Sequence, residues 1–513
     1  MNRTARAALA LWFAALLLFL PGLGIEPLRD WDEGTSAQVA REMLEGAPWN
    51  WLYPTHWGAP YFNKPTLGTG LISASFALFG ESAFAARLPG AFLTASAIPL
   101  FYLLALSAGA GRRRALMSAA VLLTLLPFMR HGRLAMLDGF VVFFGIAMLL
   151  ALSLGRSGRP GCGLPAGLAV TGMALTKGLL AAPFLAIGVG WLAFQRAPLL
   201  RQGRFWLLFA LGLVPAALWY LAQGARYGSL YLDNAVHNQG VARLYQAIEG
   251  NSGALWYYLL EILKYGWPWL LFLPAGLAAA WAARREPWAQ LALIWAVGFF
   301  VLMSLIPTKL PWYIYPAWPA LALLIGVGID RAIDHGARGL WLLPVLGILS
   351  IAGVWYFSPW GIDPVPILLA MSVLLVVALP TCFWLWRRNG QRGAVLMVLV
   401  VYASLFLFSV SGRSVWELNE DYAVPPVAQA IRNAVSDESV VYTTNPRRRP
   451  SLDFYAGIPV LPRPREELLA PDTHPGSLWL TDAAELKEGT TGFDTLAEVG
   501  PFRLVRKSPA TEP

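Results

Sequence analysis

Residues 8–24, "ALALWFAALLLFLPGLG", form an apolar run, and a few residues later comes "DWDEGTSAQVAREM" (30–43), which carries Asp30, Asp32 and Glu33. Runs like the first recur almost to residue 410, and the chain of 513 residues is 57% hydrophobic and 13% charged. That composition describes a polytopic membrane protein. Charge at the mouth of a membrane segment is expensive to desolvate, so the acidic cluster needs a reason. The run at 8–24 follows Arg3 and Arg6 and resembles a secretory leader, yet no small-residue cleavage pattern precedes the acids, and it reads as an uncleaved first span.

Thirteen spans are expected, near 8–24, 84–109, 115–128, 138–154, 163–175, 179–194, 205–221, 266–283, 288–305, 312–328, 339–357, 364–386 and 393–410. With the N-terminus inside, the inner segments hold seventeen Lys and Arg against three acids, Glu286, Asp330 and Asp334. The positive-inside rule favours this arrangement, with the N-terminus cytoplasmic and the C-terminus periplasmic. The net charge of +9 then follows from topology and implies no nucleic-acid partner. Cys162 and Cys382 both lie in or beside apolar runs, which excludes a disulfide framework and a cysteine metal site.

The expected fold class is mainly α: a transmembrane catalytic domain over 1–410, then a small outer α/β domain over 411–513. Two outer loops, 26–83 and 222–265, are long. In the first, "TSAQVAREMLEG" has apolar residues at helical spacing and predicts an amphipathic helix lying on the outer membrane surface. "TLGTGLISASFALFG" (66–80) predicts a short surface or re-entrant helix. Beyond 411, alternation in "SVVYTT", "GSLWLT" and "PFRLVRK" predicts strands, and "PPVAQAIRNAV" a helix.

Several ionisable residues stand at the outer ends of spans without a topological reason to be there. They are Asp30, Asp32, Glu33, Lys64, Arg87, Arg130, Arg133, Asp138, Lys177, His237, Arg243, Lys264 and Lys309. A single cation at such a place snorkels to headgroups as readily as it binds a ligand. Asp138 could equally cap the span that follows it. As a set, cations from distant loops beside carboxylates argue for one shared site. His56, His131 and His237 lack metal-ligand spacing and read as interfacial polar contacts. Cations gathered around a carboxylate at the outer leaflet suit a lipid-linked phosphate, with the carboxylate facing the attacking atom. The aromatics crowding the same loops form an interface belt, of which a minority could stack on a sugar.

In order along the chain, "DWDEGTSAQVAREM", "YFNKPTLG", "ARLPGAF", "RHGRLAMLDGF", "TKGLLA", "HNQGVARL" and "PTKLPWYIYPAWPALALL" resemble the bacterial GT-C glycosyltransferases of the protein-mannosyltransferase and aminoarabinose-transferase type. The resemblance covers roughly residues 1–330 and is specific as an ordered set. It implies transfer of a sugar, with inversion, from a polyprenyl (undecaprenyl) phosphate carrier to lipid A, a protein or another glycan on the outer face of the inner membrane. It puts Asp32 at the catalytic carboxylate, with Glu33 beside it, and Asp138 at a second recurring acid. It puts Tyr61 and Lys64 at the carrier-phosphate motif, and Lys177, Arg243 and Lys309 at later cationic positions. Two positions depart from the aminoarabinose-transferase pattern. Thr35 stands where those enzymes have an arginine, which weakens a claim to that donor; Asn63 stands where they have an acid, which weakens a divalent-metal site shared with His237. No cofactor is required by this reading, and a monomer is expected.

In this mechanism Lys64, Lys309 and one of Arg130, Arg133 or Arg243 take up the charge of the departing phosphate, and Asp32 accepts the proton of a hydroxyl acceptor or orients a phosphate acceptor. The rival class is a transporter or flippase of lipid-linked glycans. It predicts cations through the bilayer and a repeated half, whereas the inner ends carry arginines that topology already explains and no internal repeat is visible.

Overall fold

The computed structural model describes residues 2–30, 32–235, 245, 251–357, 366–415, 422–435, 440–470, 476–486 and 492–508. The molecule is mainly helical. Among the described residues eight helices are long and apolar enough to cross a membrane: Ala83–Ser107, Asp138–Gly155, Pro160–Phe194, Gly203–Tyr227, Pro287–Leu305, Pro311–His335, Pro366–Arg388 and Gly390–Ser409. A ninth arises if Arg112–Leu123 and Leu126–Gly132, which meet at 58°, count as one broken span. All thirteen expected spans fall on helices, but not all reach membrane length. The first is only 17 residues, Arg3–Phe19; those expected at 266–283 and 339–357 fall on the shorter apolar helices Trp269–Ala282 and Gly339–Val354. The two expected at 163–175 and 179–194 run on as one helical stretch of 35 residues, interrupted at Lys177 where Gly178 takes φ +49°.

A single apolar cluster threads these helices, from Ala15 and Phe19 through Phe101, Phe128, Trp191 and Trp295 to Phe408. Where helices Gly163–Lys177 and Gly203–Tyr227 cross, a Cβ on Gly167 would sit 2.2 Å from the Phe209 carbonyl oxygen, so small residues set the approach. At one end of the bundle Arg113 and Arg114 pair with Asp330, and Arg113 also with Asp334 at 2.5 Å.

The helix expected to lie on the membrane surface is instead enclosed. It runs Asp32–Glu45, and Gly34, Ser36, Ala37, Val39, Ala40 and Met43 are all buried. Its small residues admit neighbours on both sides: Ala37 and Ala40 share a cluster with Ile72 and Phe76 of helix Thr66–Phe79 and with Phe454 far along the chain.

After the last long helix, five strands form a mixed sheet: β1 (Val441–Thr443), β2 (Val460–Pro462), β3 (Leu478–Asp482), β4 (Phe493–Val499) and β5 (Phe502–Lys507), in the order β2-β1-β3-β5-β4. β1 runs parallel to β2 and β3, while β5 is antiparallel to β3 and β4. Strand alternation sorts the two faces. Val441, Leu478, Leu480 and Leu504 pack with helices Val424–Ala434 and Pro450–Ala456. Tyr442, Trp479 and Val505 pack on the other face with Leu468 and Leu486.

Candidate active site

Three acids within four residues meet three different fates. Glu33 is buried, and Arg87 holds it through Nη2–Oε2 at 2.7 Å and Nε–Oε1 at 2.8 Å; the backbone N–H groups of Ala135 and Arg29 donate to the same carboxylate. Burial alone would raise the Glu33 carboxyl, but the Arg87 charge and these four donors outweigh it and hold the group below the usual carboxylate range. The side chain of Asp30 is also shielded: Arg449 Nε donates to Oδ2, and the Ser451 hydroxyl and N–H donate to Oδ1, the latter at 3.2 Å. Asp32 lies between them in the first turn of its helix, where the helix dipole favours a carboxylate. Half-buried, it forms no side-chain hydrogen bond or ion pair among the described residues.

The charge of Asp32 nevertheless reaches two expected site residues. Tyr61 is almost fully buried against Val39 and Met43, and burial together with the nearby Asp32 charge pushes its hydroxyl well above the ordinary tyrosine range. Lys177 feels both Asp138 and Asp32. Lys177 Nζ stands 2.7 Å from Asp138 Oδ1, while Asp138 Oδ2 is buried and has no hydrogen-bond partner among the described residues. Leu137, not Asp138, occupies the cap of the helix Asp138–Gly155, so Asp138 does not cap this span. Lys177 gains its place from the helix break at Gly178. Lys64 is half-buried at the entry to helix Thr66–Phe79.

Arg130 lines two clefts. One, a narrow polar cleft, is bounded by Leu23, Glu26, Arg87, Arg133 and Ser414. The other, also narrow, is aromatic, with His131, Tyr265, Trp312, Tyr315 and Trp318.

Two expected phosphate ligands are committed to backbone. Arg133 donates to the carbonyls of Leu18, Pro21 and Ser409 at 3.0, 2.6 and 3.2 Å, which ties the end of the first helix to the end of the last long helix, Gly390–Ser409. Burial, with Arg87 nearby, lowers its guanidinium to about 10. Lys309 donates to the carbonyls of Met303, Ser304 and Ile306, the unsatisfied acceptors at the C-terminus of helix Pro287–Leu305. Glu33, Arg133 and Lys309 thus meet protein partners where substrate contacts are expected from sequence. His237 and Arg243 lie outside the described residues. Among the described residues no three His, Cys, Asp or Glu side chains converge on a metal position.

The residues missed from sequence come from the tail. Arg449 and Ser451 reach Asp30, and Arg448 lies near enough to His56 to lower that imidazole, after burial. The only sequence signal is "RRRP" immediately before a short helix.

The family model of the dolichyl-phosphate-mannose-protein mannosyltransferases matches residues 63–220. The undecaprenyl phosphate-alpha-4-amino-4-deoxy-L-arabinose arabinosyl transferase of Erwinia tasmaniensis is 30% identical over 407 residues, 76% of this chain and 72% of the relative. The chain belongs to this arabinosyl transferase family. It is a glycosyltransferase of the GT-C superfamily. The relative of the same name from Shewanella sediminis is 26% identical over 467 residues, 86% of this chain and 82% of its own. In fold, the chain matches ArnT from Cupriavidus metallidurans bound to undecaprenyl phosphate with a TM-score of 0.77, at 20% identity and over 98% of both chains.

Proposed function

We propose that this arabinosyl transferase relative moves a sugar from undecaprenyl phosphate to lipid A or another envelope acceptor on the outer face of the inner membrane. The observation that carries the reading is the meeting of Asp32, Tyr61 and the Lys177–Asp138 pair at one place, with Asp32 and Asp138 Oδ2 uncommitted by hydrogen bonds among the described residues. In the transfer, the acceptor oxygen bonds to the anomeric carbon as the bond from that carbon to the carrier's phosphate oxygen breaks. The electron pair leaves on the phosphate, whose charge Lys64 and Arg130 take up. The acceptor proton passes to Asp32, or Asp32 orients the acceptor where that is an ionised phosphate. Glu33, Arg133 and Lys309 hold the walls. The donor named for the relatives is 4-amino-4-deoxy-L-arabinose, and this chain uses that sugar or a close analogue.

Counting the apolar helices other than the loop helix Thr66–Phe79, with Arg112–Leu123 and Leu126–Gly132 as one span and Pro160–Phe194 divided at Lys177, gives thirteen crossings, and with the N-terminus inside this puts the unit over 411–513 outside. The arginine-rich end at Arg113 and Arg114 then faces the cytoplasm.

The test is reconstitution with undecaprenyl phosphate-linked aminoarabinose and lipid A, read by mass spectrometry of the acceptor. Wild-type protein should add the sugar and Asp32→Asn should not. A wild type that leaves lipid A and other envelope acceptors unmodified would overturn the assignment.

A further inference from the structure

We infer that the tail segment Arg449–Tyr455 is a positioning device for the catalytic acid, acting through Asp30 and Gly34 on the first turn of the Asp32 helix; the inference rests on the proposed role of Asp32. The contacts run along the whole approach to that acid. The Leu28 N–H donates to Tyr455 Oη at 2.8 Å. Asp30 receives Arg449 and Ser451, and Arg449 also donates to the Tyr422 carbonyl at 3.2 Å with its guanidinium 4.2 Å above the Tyr422 ring. Further along the helix, Arg41 donates to the Phe454 carbonyl at 3.0 Å and lies 4.0 Å over its ring.

The closest approach is at Gly34, where a Cβ would fall 2.4 Å from the Ser451 nitrogen and 2.7 Å from the Pro450 carbonyl carbon. Those are backbone atoms, which cannot swing aside, so helix and tail touch directly within the first turn, two residues from Asp32. Asp30 and Arg449 are each only about 5% exposed, so the ion pair joining the two units is shielded from solvent and geometrically demanding. On the opposite side of Asp32, Glu33 fastens the helix to Arg87. Asp32 is therefore held from two directions while its own carboxylate stays uncommitted by hydrogen bonds among the described residues. Displacement of a reacting group by about 1 Å can cost on the order of 100-fold in rate. Two flanking clamps answer that demand; the tail supplies one of them.

The experiment compares Gly34→Ala, Ser451→Ala and Arg449→Ala in the full-length purified protein. It measures kcat, KM, undecaprenyl phosphate binding and thermal stability, with Asp32→Asn beside them. Gly34→Ala is the sharpest probe, because alanine at a helical glycine ordinarily favours the helix, whereas here it must push the tail away. The expected result is a fall in kcat of about 10- to 100-fold for Gly34→Ala and Arg449→Ala, with carrier binding within about two-fold of wild type. Combining Asp30→Asn with Arg449→Ala should cost no more than either alone. Should Arg449→Ala fail to accumulate, Gly34→Ala and Ser451→Ala decide. Unchanged kcat in the folded variants overturns the inference while Asp32→Asn is still dead. Parallel loss of kcat, carrier binding and stability overturns it too, since that is general damage. A fully active Asp32→Asn would instead overturn the reading of the acid itself.

Discussion

At the scale of single residues, the three neighbouring acids separate by partner. Asp32→Asn preserves shape and removes the charge, and general-base losses run about 100- to 10,000-fold. Turnover should fall to that degree with undecaprenyl phosphate binding retained, which single-turnover kinetics and a binding isotherm would show. Glu33→Gln acts differently: it leaves Arg87 buried without its counter-charge. Its expected loss is about 3–5 kcal/mol of stability, read by thermal unfolding. Sequence made the cluster conspicuous and set Asp32 first, but could not rank the neighbours by geometry, because Arg87 and Arg449 are 54 and 419 residues away from the acids they hold. Lys177 and Asp138 stood out for a simpler reason: each is an ionisable group interrupting or ending an apolar run, and such groups pair with one another. Tyr61 came only from the family resemblance.

At the scale of elements, cations at helix ends were the least legible. Lys309 stands at a span boundary in sequence, and nothing local says whether a ligand or the previous helix's carbonyls will claim it. In the fold it caps Pro287–Leu305. Lys309→Met should therefore lower stability by about 1–3 kcal/mol and leave carrier affinity within about two-fold, measured by unfolding and carrier titration. The same blindness affected the Asp32 helix. Its spacing was readable, yet the faces covered by Thr66–Phe79 and Pro450–Ala456 depend on tertiary packing. Within Pro450–Ala456, Asp453 is buried against the Val460 N–H and Arg448, and burial pushes its carboxyl up to about 6. A raised carboxyl favours the protonated folded form. Its stabilising contribution is complete below about pH 4, the ordinary aspartate value, and is lost as pH rises through 6. Asp453→Asn, which stays neutral, should gain on wild type in melting temperature between pH 4 and pH 7.

At the scale of the whole molecule, the succession of apolar helices was legible because apolar runs are written along the chain. Membrane length was not, since Arg3–Phe19 and Trp269–Ala282 are helices too short to show by length alone that they cross. Reporter fusions test the arrangement: one placed after residue 410 should be active only on the outer side, and one at Arg113 only on the inner side. The reverse would invert every assignment of an outer site. The bond between Asp30 and Arg449 also carries information about time. A ribosome delivers Asp30 near the start of synthesis and Arg449 near its end, so on the proposed topology the first loop is exported well before its partner is made. A half-made enzyme then lacks the clamp on which full turnover is proposed to depend, and the scarce lipid carrier is spared.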